Sequence, residues 1–274
     1  MPSSEFDPCW RRLERAKSHR NIIAAAWNDA IDTEGSYYGR VYVDDDGTGH
    51  IEVESEIITR LAPKIALELG EMFYQWRAAL DNCIYCAAIL ESGQDPPPNK
   101  NALEFPICPN ADKFKENAWK LGPLTDTRRG IIEKIQPYNA PKLSNDELPF
   151  NFNRALGILN DWARIDRHRK LHIAGSWFSH AGPKLKLPPG CTLTAMTIRS
   201  NGFLDHNCEI ATFSLDGWVS GMKIEANPNL FIEIALDETP LPCSPMDNFN
   251  VRCEAIERAV TVVIREFEFS FGLT

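Results

Sequence analysis

The sequence has no uninterrupted apolar run approaching the roughly 20 residues that a membrane-spanning helix needs, so no membrane partner is expected. It is short of positive charge, with 29 Lys and Arg against 38 Asp and Glu and a formal net charge of −9. That balance argues against indiscriminate coating of nucleic acid, although a local basic patch could still bind RNA. The N-terminal stretch MPSSEFDPCWRRLERAK lacks the apolar segment of an export signal, and a cytoplasmic protein is expected. Internal repeats and low-complexity segments are missing, and no shift in composition marks a linker. The eight cysteines are scattered rather than clustered. Cys83 and Cys86 form the pattern C-x-x-C, but inside a helical pattern and without the second knuckle that a zinc ribbon wants. The cysteines therefore read as small hydrophobes in a reducing compartment, and neither metal nor cofactor is expected.

What is present is a set of strong periodicities. Asp7-Pro8 opens a helix reaching about Asp32. The β-rich runs SYYGRVYV and HIEVESEI flank the turn DDDGTG and predict a hairpin. Leu61, Ile65, Leu69, Met72, Trp76, Leu80, Cys83, Ala87 and Leu90 keep an unbroken three-four spacing, which predicts a helix over about Thr59–Glu91. The loop SGQDPPPNKNA, an extended LEFPIC and two short helices, about Ala111–Leu121 and Thr125–Ile135, come next. A helix spans Asn151–Leu171. Five strands are then expected in HIAGSWFSH, CTLTAMTIRS, CEIATFSLD, WVSGMKIEA and LFIEIALDE. The helix over about Asn248–Phe271 carries a nearly strict apolar stripe that packs either within the chain or across a dimer. The expected fold is α+β: a core of about four long helices, an N-terminal β-hairpin, and an antiparallel sheet inserted before the C-terminal helix. A single domain, 1–274, is expected, with a helical core of 1–172 and 247–274 and a β insertion of 173–240.

The sharpest break in local pattern lies in NFNRALGILNDWARIDRHRKLHIAG, residues 151–175. Its apolar stripe, Phe152, Leu156, Leu159 and Ala163, runs into Asp166 and then into Arg169 or Lys170. A charge on a core-facing stripe is costly unless paired. Arg77, beside the stripe of the long helix and one turn before Asp81, is the expected partner of Asp166. Arg164 and His168 share a face of the central helix, and Arg167 and His172 frame four residues. Histidine moves protons near neutral pH, and arginine holds phosphate in a bidentate fork. These groups suffice for metal-independent cleavage of RNA. His168 or His172 would be the base, Arg167, Arg169 or Arg164 the phosphate clamp, and Asp166 the orienting carboxylate.

Arg167, His168 and His172, as R-H-x-x-x-H at the end of a helix, resemble the signature of the HEPN superfamily of ribonucleases. That resemblance implies an all-α bundle acting on RNA as a homodimer with two motifs face to face. A resemblance covering more of the chain rests on LGEMFYQWRAALDNCIYCA, EFPIC, IIEKIQPY and RIDRHRKLH. These are similar to the strings LRSALDH, FPI, LQPY and IDKHR of a widespread group of uncharacterised bacterial proteins. Arg77, Asp81, Asp166, His168 and Arg169 match that pattern, with Asn82 where the group has His and Arg167 where it has Lys. The resemblance implies an architecture and makes Asp166, His168 and Arg169 its polar centre. The residues leave two readings open: an RNA-handling site, or a ligand- or protein-binding module in which Arg77, Asp81, Asp166, Arg169 and His168 form a structural network.

Overall fold

The computed structural model describes residues 4–34, 37–54, 57–140, 152–168, 173–178, 182–199, 201–204, 208–236 and 248–273. The fold is α+β. Helices are α1 (Asp7–Glu34), α2 (Ile57–Ser92), α3 (Ala111–Asn117), α4 (Asp126–Lys134), α5 (Phe152–His168) and α6 (Phe249–Ser270). Strands are β1 (Tyr38–Val43), β2 (Thr48–Glu54), β3 (Ile173–Phe178), β4 (Lys184–Lys186), β5 (Thr192–Ile198), β6 (Asn201–Leu204), β7 (Cys208–Asp216), β8 (Glu225–Asn227) and β9 (Phe231–Leu236). Among the described residues no helix is long and apolar enough to cross a membrane. The chain divides into two compact units, one of Met1–Ile23, Leu67–Leu171 and Asn250–Thr274, the other of Ala24–Ala66 and His172–Phe249.

The first unit is helical. The predicted stripe of α2 is its spine: Leu69, Met72, Trp76, Leu80, Cys83 and Ala87 are all buried. Helix α5 lays Leu156, Leu159 and Trp162 into the core, and Phe73 of α2 meets Trp162 at 5.2 Å between ring centroids. Helix α6 packs within the chain. Phe267 lies 6.5 Å from Phe6, Trp10 Nε1 donates to the buried Glu268 at 2.9 Å, and Arg20 pairs with Glu254 at 2.8 Å. Cys9 is hydrogen-bonded with Cys83 and with Cys86. The Cys83 contact and burial hold the Cys9 thiol far above the ordinary range against the opposing Cys86 contact, and the Cys9 contact and burial do the same for Cys86, so the C-x-x-C belongs to the core packing.

The second unit carries the described strands, all paired antiparallel. β1-β2-β7-β5 form one sheet, β6-β3-β9 a second and β4-β8 a third. The hairpin is thus the edge of a larger sheet. Its turn closes through Asp44 N–H to Thr48 O at 2.8 Å and Asp46 Oδ1 accepting from Thr48 N–H at 2.8 Å. Ile51 and Val53 of β2 and Ile210, Phe213 and Leu215 of β7 build the buried face together with Trp177. Opposite Phe213 stands Gly49, where any Cβ would lie 2.1 Å from the ring; glycine lets the aromatic lie flat across the strand. The stretch expected as a strand over 218–226 is irregular up to residue 224, with a turn at 220–221. Gly217 and Gly221 take φ of 76° and 92°, a region β-strands do not use, and only β8 at its end is paired. Short β4 and β6 were not anticipated.

On the surface of this sheet His50 Nδ1 donates to Glu209 Oε2 at 2.8 Å, and the ring lies 3.4 Å from Asp44 and stacks on Tyr42. Its pKa is raised, first by the hydrogen bond to Glu209; burial opposes this, and the charges of Glu209 and Asp44 add to the rise. A folded pKa above the unfolded 6.5 makes this contribution complete below that value and lost as pH climbs through the folded one. The melting temperature of the wild type relative to His50→Gln is therefore expected to be higher at about pH 5.5 than at about pH 9. Scanning calorimetry across that range checks it, and an unchanged difference would remove the ion pairs from the account.

Returning to the first unit, the extended segment 104–108 is fixed by Gln136, fully buried just before Pro137. Its Nε2 donates to Pro106 O at 2.8 Å and Ile132 O at 3.1 Å, and its Oε1 accepts from Cys108 N–H at 2.8 Å. Substitution Gln136→Leu keeps the volume but strands buried backbone groups, and about 2–5 kcal/mol of stability should be lost in urea unfolding.

Candidate functional site

Arg77 and Asp81 are one turn apart on α2 and grip the same residue. Arg77 Nη2 donates to Phe105 O at 3.0 Å, and Asp81 Oδ1 accepts from Phe105 N–H at 2.9 Å. The two side chains also touch each other at 3.4 Å. The helix face so substitutes for a neighbouring strand, satisfying both backbone groups of Phe105, whose own ring is fully buried. Glu104, next in the chain, reaches Arg77 at 3.6 Å and Lys120 at 2.6 Å.

The expected Arg77–Asp166 ion pair does not form, because the guanidinium is committed to Phe105, Asp81 and Glu104. Asp166 nevertheless faces α2. A Cβ built on Gly70 would lie 2.7 Å from its Oδ1, so the carboxylate rests against the helix backbone where only glycine leaves room. Asp166 has bonding partners of its own.

A cleft of about 440 Å³ opens between these elements. Tyr74, Arg77, Asp81 and Asn82 of α2 line one wall, Ala163 and Asp166 of α5 another, and Arg12 of α1 and Glu104 complete it. Arg12 is positioned by donating to Gln75 Oε1 at 3.0 Å and lying 5.6 Å above the Tyr74 ring. Arg77 is 9% exposed, and its Nη1 is buried with no hydrogen-bond partner. A buried donor left in that state costs about 1–3 kcal/mol, and arginine cannot relieve it by losing its proton. Beside the cleft lies a groove of about 450 Å³ that shares Arg12 and Asn82 with it and adds Arg11 and Arg15.

Of the residues singled out in the sequence, Arg77, Asp81 and Asp166 come together at this cleft. Arg164 does not line it; its side chain is exposed and lies 4.0 Å from Asp161. Arg167 and His168 occupy the last turn of α5, but their side chains, together with Arg169 and His172, lie outside the described residues. Arg12, Glu104, Gly70 and Gln136 were not singled out. Glu104 and Gln136 sit within the motif strings EFPIC and IIEKIQPY, and Gly70 is the second residue of LGEMFYQWRAALDN, so three of the four lie inside the motif strings. Arg12 carries no such signal.

Among the described residues no group of His, Cys, Asp and Glu is arranged to hold a metal ion. The chain matches no protein-family model, and no curated protein or solved structure matches it.

The contact of Gly70 with Asp166 is testable by a double-mutant cycle. Alanine normally stabilises a helix interior over glycine by roughly 0.5–1 kcal/mol. In an Asp166→Ala background, Gly70→Ala should deliver that gain in chemical denaturation, while in the wild type the gain should vanish or reverse. Equal effects in both backgrounds would mean that the two residues are uncoupled.

Proposed function

We propose that this protein is a binding module that takes a small polar ligand in the cleft beside Arg77. The observation carrying this reading is Nη1 of Arg77, buried, charged and without an acceptor, in the wall of a 440 Å³ cleft. Sites for small molecules are concave, about 300–1,000 Å³, and carry a few convergent polar groups. The neighbouring groups are spent on scaffolding. Arg77 Nη2 and Asp81 Oδ1 hold the backbone of Phe105, whereas a general acid or base needs a proton or lone pair free to move.

Thermal denaturation of the full chain across a panel of small polar metabolites tests this reading, since a ligand that binds only the folded state raises the melting temperature. At least one compound class is expected to give a saturable rise that Asn82→Ala diminishes. Incubation with mixed RNA is the counter-test. Cleavage by the wild type that disappears in a folded His168→Ala, His172→Ala double variant would replace the binding reading with the ribonuclease one.

A further inference from the structure

We infer that the group seated in the cleft is an anion, a carboxylate or a phosphate monoester, held by Arg12 and Arg77, with the rest of the ligand directed along the arginine groove of α1. The inference rests on the binding reading above and adds the chemistry of the ligand.

By simple charge the cleft looks acidic, with Asp81, Glu104 and Asp166 against Arg12 and Arg77. Hydrogen-bond accounting reverses that impression. Asp81 is engaged by Phe105 N–H and Arg77. Glu104 is engaged by Lys120 at 2.6 Å and Arg77 at 3.6 Å, and Asp166 has partners as well. What the described residues leave over is donors. Arg77 keeps both protons of Nη1, and Arg12 uses only Nη1, on Gln75. A ligand that completes this set brings acceptors, and the fork geometry of two guanidinium groups favours a planar carboxylate or a phosphate.

The adjoining groove points the same way. Its lining of Pro8, Arg11, Arg12, Arg15, Gln75 and Asn82 holds three arginines and no carboxylate. Arg11 is answered by Asp7 at 2.7 Å, and Arg12 sits where the groove and the cleft join. An anion entering from the groove therefore meets positive charge first and the unpaired Arg77 donors at the end. Tyr74, 56% exposed, also lines the cleft and carries Arg12 over its ring.

The test uses the full chain and four probes at matched ionic strength: inorganic phosphate, adenosine monophosphate, succinate and the dication putrescine, with chloride as the reference. A saturable rise in melting temperature is expected with phosphate and its monoester, or with succinate, and which arm responds identifies the anion. Arg12→Ala should weaken that binding by about tenfold or more, with Arg12→Lys intermediate because it keeps the charge and loses the fork. Arg15→Ala, at an exposed position, should weaken the larger adenosine monophosphate more than phosphate itself. An anion effect that survives Arg12→Ala unchanged would overturn the inference. Binding of putrescine alone would also overturn it, while leaving the cleft as a binding site. Silence from these probes and from the wider metabolite panel would instead bring down the binding reading itself.

Discussion

The helical unit depends on the double grip of α2 on Phe105. An isolated extended segment against a helix has no ladder to satisfy its backbone, and burying it unpaired would be costly. Arg77 and Asp81 supply a donor and an acceptor at the spacing of one helical turn, and Gln136 does the same for Pro106 and Cys108. With those four backbone groups paired, the Phe105 ring can enter the core and Glu104 can be presented to Lys120. The motif residues that stand out in the sequence are, on this view, chiefly the parts of a brace.

The cleft is what that brace leaves behind. Arg77 gives Nη2 to Phe105 and leaves Nη1 buried without a partner, in a residue that lines the cleft bounded by α1, α2 and α5. Because Asp166 rests on Gly70 rather than on Arg77, that nitrogen is not neutralised. On the proposed reading, scaffold and recognition share one side chain, which would tie a ligand to the stability of the 104–108 segment.

Much of the architecture was legible in the sequence. The stripe of α2 and that of α6 are regular enough that period alone places them, and DDDG between alternating runs marks the hairpin. The strand expected over 218–226 failed because alternation of apolar residues runs through Gly221, whose backbone leaves the β region. At the site, Arg77, Asp81 and Asp166 were found by their position on or beside apolar stripes. Their pairing was not, since a helical wheel shows which side chains share a face and says nothing of a backbone segment docking there. Arg12 stayed hidden because, in a run of basic residues, the one that matters is chosen only by tertiary neighbours such as Gln75 and Tyr74.

Both units are assembled from pieces far apart along the chain. β2 lies beside β7, some 160 positions later, and Trp10 meets Glu268 across a separation of 258. During synthesis the N-terminal hairpin must wait for its neighbouring strand, and α1 must wait for α6. Apolar faces such as those of Phe6 and Ile51 thus stay uncovered while most of the polypeptide is made. Contacts so far apart in the chain close late, and the apolar surface they cover is exposed to association until they do.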